Sequence, residues 1–166
     1  MSNSDSPTYT VREIARKITV EDRKEEFKRR LRQVRHWTNS GLLKPTGQKH
    51  PGTGVARTYG PDEVRKAALL RELTRFGMSI NIVDPDADGI EYHTKQEPWK
   101  KAIKGKSEVY LELLYRPDDG LGWNIMDRDK SSMLSYLDTD NTKPYMKEYV
   151  SALVINLTKL FKSLEL

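Results

Sequence analysis

The sequence predicts an α+β protein in which a helical N-terminal part is followed by a small β-sheet part. Helical periodicity before residue 80, strand-type alternation after residue 108 and a change of charge between the halves support this class. Residues 1–80 contain 17 basic and 9 acidic side chains, whereas residues 81–166 contain 12 and 15. The first part therefore has a net charge of +8 and the second −3, which favours a polyanionic partner for the first part.

Composition excludes several classes of site. The 166 residues contain no cysteine, so disulfides, thiolate metal sites and cysteine nucleophiles are excluded. No glycine-rich phosphate loop, nucleophile elbow or paired acid/base motif is present, so we expect neither an enzyme nor a cofactor. No run approaches the roughly 18 apolar residues of a membrane span, and no secretion signal is seen. The sequence therefore predicts a soluble cytoplasmic protein with no membrane partner.

Residues 1–9 are polar and predicted to be disordered. A first helix then begins at Thr10, because Thr10 and Glu13 have the spacing of a capping box. Apolar residues at helical spacing form its buried face: Val11, Ile14, Ala15 and Ile18.

A second helix is predicted from about Glu21 to Ser40, with Thr19 and Asp22 as a weaker capping pair. Its buried stripe consists of Phe27, Leu31, Val34 and Thr38, with Trp37 beside it. Gly41 then ends the helix in the left-handed conformation.

Residues 44–60 are rich in proline and glycine, which favours a small hairpin with a basic tip. A third helix begins at Pro61, where the missing N–H of proline costs nothing, and ends at Gly77. Apolar residues surround most of this helix, so it should be largely buried: Val64, Ala67, Ala68, Leu69, Leu70, Leu73 and Phe76.

An acidic linker is predicted over residues 81–90, before an α+β domain over residues 91–166. Within this domain we expect a short helix over Trp99–Ile103, a hairpin of strands over 109–115 and 121–125, and a third strand over 133–137. A long helix from about Pro144 should close it. Heptad spacing on this helix predicts a dimerisation seam: Met146, Val150, Leu153, Leu157, Leu160 and Leu164. A helix lying on its own sheet remains the alternative.

Two further patterns in the C-terminal part have competing interpretations. Trp99, Tyr110, Tyr115 and Trp123 line either an effector pocket or an ordinary core, and the core is favoured because aromatic residues dominate cores. Asp84, Asp86, Asp88 and Gly89 resemble the start of a calcium loop, but Lys95 occupies the position of the essential glutamate. An acidic linker is the better interpretation. His36, His50 and His93 lack metal-ligand spacing, so no metal site is expected.

Several ordered motifs lie in one register between residues 10 and 80. Val34-Arg35-His36-Trp37 precedes Gly41-Leu42-Leu43-Lys44-Pro45, and Gly54, Arg57 and Tyr59 follow. Asp62-Glu63-Val64 and Phe76-Gly77-Met78-Ser79-Ile80 then begin and end the third helix. This series resembles the winged helix-turn-helix of the MerR (mercury-resistance-regulator) family of bacterial transcription regulators. The resemblance covers residues 10–80 and leaves residues 81–166 unassigned.

Two features depart from the family pattern. The segment from Ile18 to Gln33 is longer than expected, which indicates either an extended recognition helix or an extra basic turn before it. Asp84-Pro85-Asp86 also follows where the family has a long antiparallel dimer helix. We therefore assign dimerisation, and as a further hypothesis effector sensing, to residues 91–166, although no small-molecule effector is identified.

The resemblance implies a homodimeric, sequence-specific transcription regulator that binds a pseudo-palindromic operator in double-stranded DNA, within the nucleoid. Family regulators distort a promoter so that RNA polymerase can use it. A DNA-architectural or excisionase-like recombination protein, or a protein-interaction module with weak DNA binding, remains the alternative. The predicted DNA-binding residues are Arg29, Arg30, Arg32, Gln33, Arg35, His36, Lys44, Lys49, Arg57 and Tyr59.

Overall fold

The computed structural model describes residues 6–20, 23–46, 55–78, 90–116, 120–127 and 151–166. The chain divides into two compact units, an N-terminal unit of residues 1–80 and a C-terminal unit of residues 81–165. Among the described residues, no helix combines the length and apolar character needed to cross a membrane.

The N-terminal unit contains β1 (Tyr9–Thr10), α1 (Val11–Lys17), α2 (Lys24–Asn39), β2 (Thr58–Tyr59) and α3 (Pro61–Arg75). The predicted capping box at the start of α1 is confirmed. The Thr10 N–H donates to Glu13 Oε2 at 2.7 Å, and the Glu13 N–H donates to Thr10 Oγ1 at 3.3 Å. Ile14, Ala15 and Ile18 are fully buried, as the helical spacing predicts.

The helix α2 is one continuous helix of 16 residues. The basic residues from Lys24 onward therefore lie in the same helix as Arg35. Trp37, which the sequence places beside the buried stripe, is a fully buried core residue, whereas Phe27 and Leu31 are half-buried. Gly41 follows the end of α2 with φ +86°, which confirms the predicted left-handed position. Asp22, half of the weaker capping pair, lies outside the described residues.

A short antiparallel sheet ties the chain before α1 to the strand that leads into α3. Tyr9 pairs with Tyr59 and Thr10 pairs with Thr58. Thr46 forms a bridge to Thr58 from the other side, and its N–H donates to the Thr58 carbonyl at 2.8 Å. This bridge closes the base of the predicted hairpin, which we call the wing. The wing tip, residues 47–54 with Lys49 and His50, lies outside the described residues.

The helix α3 begins with Pro61 in its first turn and is largely buried, as predicted. The predicted burial of Phe76 is wrong, because 57% of this residue is exposed. Phe76 follows the last helical residue, and Gly77 then turns the chain with φ +79°, so the side chain leaves the buried face. Lys66 and Arg71 are buried and are paired with Glu63 and Glu72.

The C-terminal unit contains α4 (Ile90–Thr94), α5 (Glu97–Lys104), β3 (Val109–Arg116), β4 (Gly120–Asp127), β5 (Ser151–Asn156) and α6 (Leu157–Lys162). Its antiparallel sheet has the order β4-β3-β5. The predicted hairpin is confirmed, and the predicted short helix lies within α5. Most of the predicted linker (residues 81–89) and the predicted third strand (133–137) lie outside the described residues.

The long helix predicted from about Pro144 is wrong for residues 151–156. These residues form β5, in which Leu153 pairs with Leu113 of β3. Within residues 151–166, the helix is confined to residues 157–162, and Asn156 caps it by accepting from the Lys159 N–H at 2.9 Å. A leucine at every third or fourth position is compatible with a helix when the segment is considered alone. In the folded chain, residues 151–156 instead form their backbone hydrogen bonds with β3. Met146 and Val150 lie outside the described residues.

The short helix α6 lies in the core of the C-terminal unit. Leu157, Leu160 and Leu164 are buried. The Phe161 ring packs edge-on against the fully buried Trp99 ring, with 4.6 Å between the ring centroids. The C-terminal leucines of the predicted dimerisation seam therefore pack within the C-terminal unit. This agrees with the alternative interpretation, in which the helix packs against its own domain. Trp99 and Tyr110 are buried core residues, whereas the side chains of Tyr115 and Trp123 lie outside the description.

Candidate nucleic-acid interface

One face of α2 is exposed along its whole length and is strongly basic. Residues three or four positions apart share a helix face, and Val34 and Trp37 hold the opposite face in the core. The exposed stripe consists of Glu25, Lys28, Arg29, Arg32, Arg35, His36 and Asn39. We call this set the α2 stripe.

Charge is distributed unevenly along the α2 stripe. Lys28 Nζ lies 2.8 Å from Glu25, and the hydrogen bond and charge of Lys28 lower the pKa of the Glu25 carboxyl. Arg29 lies 3.8 Å from Glu26. For Arg32 and Arg35, the described part of the chain contains no carboxylate at ion-pair distance. The cationic groups best placed to meet an external anion therefore lie in the C-terminal half of α2.

A groove of about 550 Å³ lies beside this half of the helix. It brings together three arginines from three segments: Arg12 of α1, Arg35 of α2 and Arg57 of the wing. Arg57 Nη1 lies 3.4 Å from Asn39 Oδ1, which holds the wing arginine beside the end of α2. The groove therefore places three guanidinium groups around one concave surface, which is a suitable shape and charge for a phosphate backbone.

The loop that leaves α2 is anchored to α3. The Lys44 N–H donates to Glu63 Oε2 at 2.8 Å, and the Lys44 side chain is exposed. Glu63 also pairs with Lys66, so one carboxylate fixes both the loop and the first turn of α3. Lys44 is therefore presented from a constrained backbone.

Two predicted DNA-binding residues are buried. The Arg30 guanidinium donates to Glu26 Oε1 and to Gln33 Oε1, each at 2.9 Å. Burial is the main cause that lowers the pKa of Arg30, and the hydrogen bond to Glu26 opposes that shift. Tyr59 is fully buried, and its hydroxyl lies 2.8 Å from Thr38 Oγ1. These positions favour a role in holding α2 and the wing rather than direct contact with a ligand.

The remaining predicted residues divide by exposure. Arg29, Arg32, Arg35, His36 and Lys44 are exposed, Gln33 and Arg57 are half-buried, and Lys49 lies outside the described residues. The sequence prediction missed Arg12, which lines the groove, and Arg16, which lies in a neighbouring concavity with Arg23 and Lys24. Their position on the polar face of α1 was visible in the sequence, but only the packing of α1 against α2 shows that this face borders the stripe.

Across residues 6–20, 23–46, 55–78, 90–116, 120–127 and 151–166, no three histidine or acidic side chains are grouped as metal ligands would be. An exposed basic helix beside an arginine groove instead has the dimensions and charge needed to enter the major groove of B-DNA.

Comparison with known families agrees with this geometry. The family described as MerR HTH family regulatory protein matches residues 9–83, which covers the described β1, α1, α2, β2 and α3. The resemblance found in the sequence is confirmed over this segment. No curated protein matches the chain. The family indicates DNA-binding transcription regulation.

Proposed function

We propose that this chain, in which residues 9–83 form a MerR-type helix-turn-helix segment, is a bacterial, cytoplasmic transcription regulator that binds specific duplex DNA through α2 and the wing. The observation that supports this proposal best is the groove that gathers Arg12, Arg35 and Arg57 beside the exposed α2 stripe. A helix fits the major groove, and the flanking arginines meet the phosphates at its edges.

The side chains divide into base-reading and backbone-positioning roles. Arg32 and Arg35 are exposed and have no described carboxylate partner, so they are the candidates for bidentate contact with guanine. Arg12, Arg57 and Lys44 come from elements that flank α2, and they bind phosphates. His36 and Arg29 lie along the same stripe and reach the adjacent backbone. Lys49 is proposed as a further phosphate contact from its place in the sequence.

The regulator acts as a homodimer on a pseudo-palindromic operator. A single helix reads only a few base pairs, and two copies reach half-sites one helical turn apart, about 34–36 Å. RNA polymerase is the proposed further partner, because regulators of this family distort a promoter so that the polymerase can use it. Because α6 is packed within its own unit, its leucines do not supply the dimer surface in this proposal.

Selection from randomised duplexes with the purified full chain, followed by footprinting at a stated salt concentration, tests this function. One palindromic site, protected over two half-sites, is the expected result. Tandem or dispersed sites would instead favour a DNA-architectural role, and sequence-independent binding would contradict specific regulation.

Three variants assign the roles. Arg57→Ala should weaken binding to all duplexes alike and reduce the salt slope by about one unit. Arg35→Ala should cost about 1–3 kcal/mol and relax selectivity at one operator position. Lys104→Ala removes an exposed charge in the C-terminal unit and is the control. Equal effects of all three variants would show that net charge, rather than the groove, determines binding.

A further inference from the structure

A second basic concavity, of about 540 Å³, lies where α2 faces the last turn of α3. Among the described residues, its lining contains Val20, six arginines and three glutamates: Arg23, Arg29, Arg30, Arg32, Arg71 and Arg75, with Glu25, Glu26 and Glu72. We call it the arginine concavity, and it is distinct from the groove that contains Arg57.

The three glutamates are already engaged by neighbouring cations. Glu26 accepts from Arg30 at 2.9 Å and lies 3.8 Å from Arg29. Glu72 accepts from Arg71 through Nε at 2.7 Å, and it lies 3.7 Å from Arg75. Glu25 binds Lys28, which is not among the lining residues. Among the described lining residues, arginines therefore outnumber glutamates by six to three.

Guanidinium donors remain exposed at the surface of the arginine concavity. The side chains of Arg29 and Arg75 are 59% and 68% exposed, and their ion pairs are longer than a hydrogen bond. The side chain of Arg30, by contrast, is only 7% exposed, and its Nε is buried. The guanidinium groups available to an external anion are therefore those of Arg29 and Arg75.

The arginines of the concavity are close enough to repel one another electrostatically. After burial, the neighbouring positive charges of Arg29 and Arg71 contribute to the lowered pKa of Arg30. The hydrogen bond and the charge of Glu26 act in the opposite direction and raise the pKa of Arg30. An added anion would reduce this repulsion among the three guanidinium groups.

We propose that the arginine concavity is a binding site for a phosphate group, held by the exposed guanidinium groups of Arg29 and Arg75. The planar fork of arginine matches two phosphate oxygens at once, which favours phosphate over a halide ion. The phosphate comes either from a duplex backbone that passes beside α2 or from a free phosphate compound. Because Arg29 also belongs to the α2 stripe, a free ligand would compete with DNA. This site does not depend on the proposed regulatory function.

Arg75 is the informative position because it lies on α3, outside the α2 stripe. The test compares Arg75→Gln with Lys100→Gln in the full chain. Lys100 is a matched control, since it is also exposed and is separated by 4.0 Å from a glutamate three residues earlier. Inorganic phosphate is titrated against chloride at equal ionic strength. We expect phosphate-specific stabilisation of the wild type, and about tenfold weaker phosphate binding in Arg75→Gln only.

Duplex binding by the same variants identifies the source of the phosphate. If a DNA backbone occupies the site, Arg75→Gln lowers the salt slope by about one unit while Lys100→Gln leaves it unchanged. If a free compound occupies it, only the phosphate titration responds. The site is excluded if neither the titration nor the salt slope distinguishes the two variants. A chain that binds phosphate but no duplex would retain this site and reject the proposed regulator.

Circular dichroism shows whether Arg75→Gln keeps its fold. If it unfolds, Arg75→Lys replaces it, because lysine keeps the charge but loses the planar fork. Phosphate binding that is weaker in Arg75→Lys than in the wild type supports the site. Unchanged binding would overturn the assignment of Arg75.

Discussion

The Tyr59 hydroxyl donates to Thr38 Oγ1 at 2.8 Å, in a position where both residues are fully buried. The direction of this hydrogen bond follows from a second contact. Thr38 Oγ1 donates its one proton to the Val34 carbonyl at 2.9 Å, so it can only accept from Tyr59. This pair joins the wing strand to α2, and it thereby fixes the position of Arg57 relative to Arg35.

Removal of this hydroxyl should destabilise the N-terminal unit moderately. Tyr59→Phe is expected to lower the free energy of unfolding by about 0.5–1.5 kcal/mol, because one buried hydrogen bond is lost without leaving a donor unpaired. Thr38→Val should cost more, about 1–3 kcal/mol, since it strands the Tyr59 hydroxyl. Urea unfolding of both single variants and the double variant gives the coupling free energy between the two side chains.

Tyr9→Phe is the control for this cycle, because Tyr9 is the strand partner of Tyr59 but is only half-buried. It should change the free energy of unfolding by less than about 0.5 kcal/mol. Strict additivity of Tyr59→Phe and Thr38→Val would contradict the hydrogen bond.

The capping box of α1 should make stability depend on pH in the acid range. Hydrogen bonds from the Thr10 N–H and hydroxyl lower the pKa of Glu13, so the folded state favours its ionised form. The contribution is present above the unfolded pKa, near 4.5, and is lost as the pH falls through the lowered folded value. Melting temperatures between pH 7 and pH 3 should therefore fall more in the wild type than in Glu13→Gln, which keeps an acceptor but cannot titrate.

Glu97→Gln provides the comparison for this pH series, since Glu97 is an exposed glutamate in the first turn of another helix, α5. A profile for Glu13→Gln identical to that of the wild type would show that the capping box does not contribute through ionisation.

A left-handed glycine ends α2, and its replacement should be costly. Gly41 has φ +86°, so Gly41→Ala is expected to destabilise the protein by roughly 1–2 kcal/mol because a Cβ is strained in this conformation. Space is not the cause, since no atom lies within 4 Å of the added Cβ. Chemical denaturation of the full chain measures the effect.

Gly60→Ala is the control that distinguishes backbone strain from steric crowding of the added Cβ. Gly60 has φ −74° and an equally open environment, so its replacement should have an effect near zero. The lost preference for glycine at a helix N-cap and the reduced entropy of the unfolded chain oppose each other. Equal costs at both glycines would exclude left-handed strain as the reason.

The C-terminal leucines should behave as core residues. Leu157 is fully buried in the C-terminal unit, so Leu157→Ala should cost about 2–5 kcal/mol of folding free energy. Val154 lies on the adjoining strand and is 40% exposed, so Val154→Ala should lower the folding free energy by less than about 1 kcal/mol. Sedimentation at several concentrations, together with thermal unfolding, distinguishes loss of fold from loss of association. If the wild type is a dimer and the Leu157→Ala variant is a folded monomer, the leucine stripe would have to form part of the dimer interface.

Local signals in the sequence were sufficient for much of the N-terminal unit. The Thr10–Glu13 capping box, Pro61 at the start of α3 and Gly41 after α2 each depend on chemistry within a few residues, and each is confirmed. The family resemblance also depends on ordered local motifs, and it is confirmed over residues 9–83.

The sequence by itself determined the helix boundaries, the basic character and the family of the N-terminal segment, because these depend on residue type and short spacing. Only the tertiary structure decided that Arg30 and Tyr59 are buried, that Arg12 joins Arg35 and Arg57, and that residues 151–156 form a strand. The physical reason is that burial and strand pairing depend on partners distant in the chain. A stripe of leucines or a row of arginines has the same spacing whichever partner covers it.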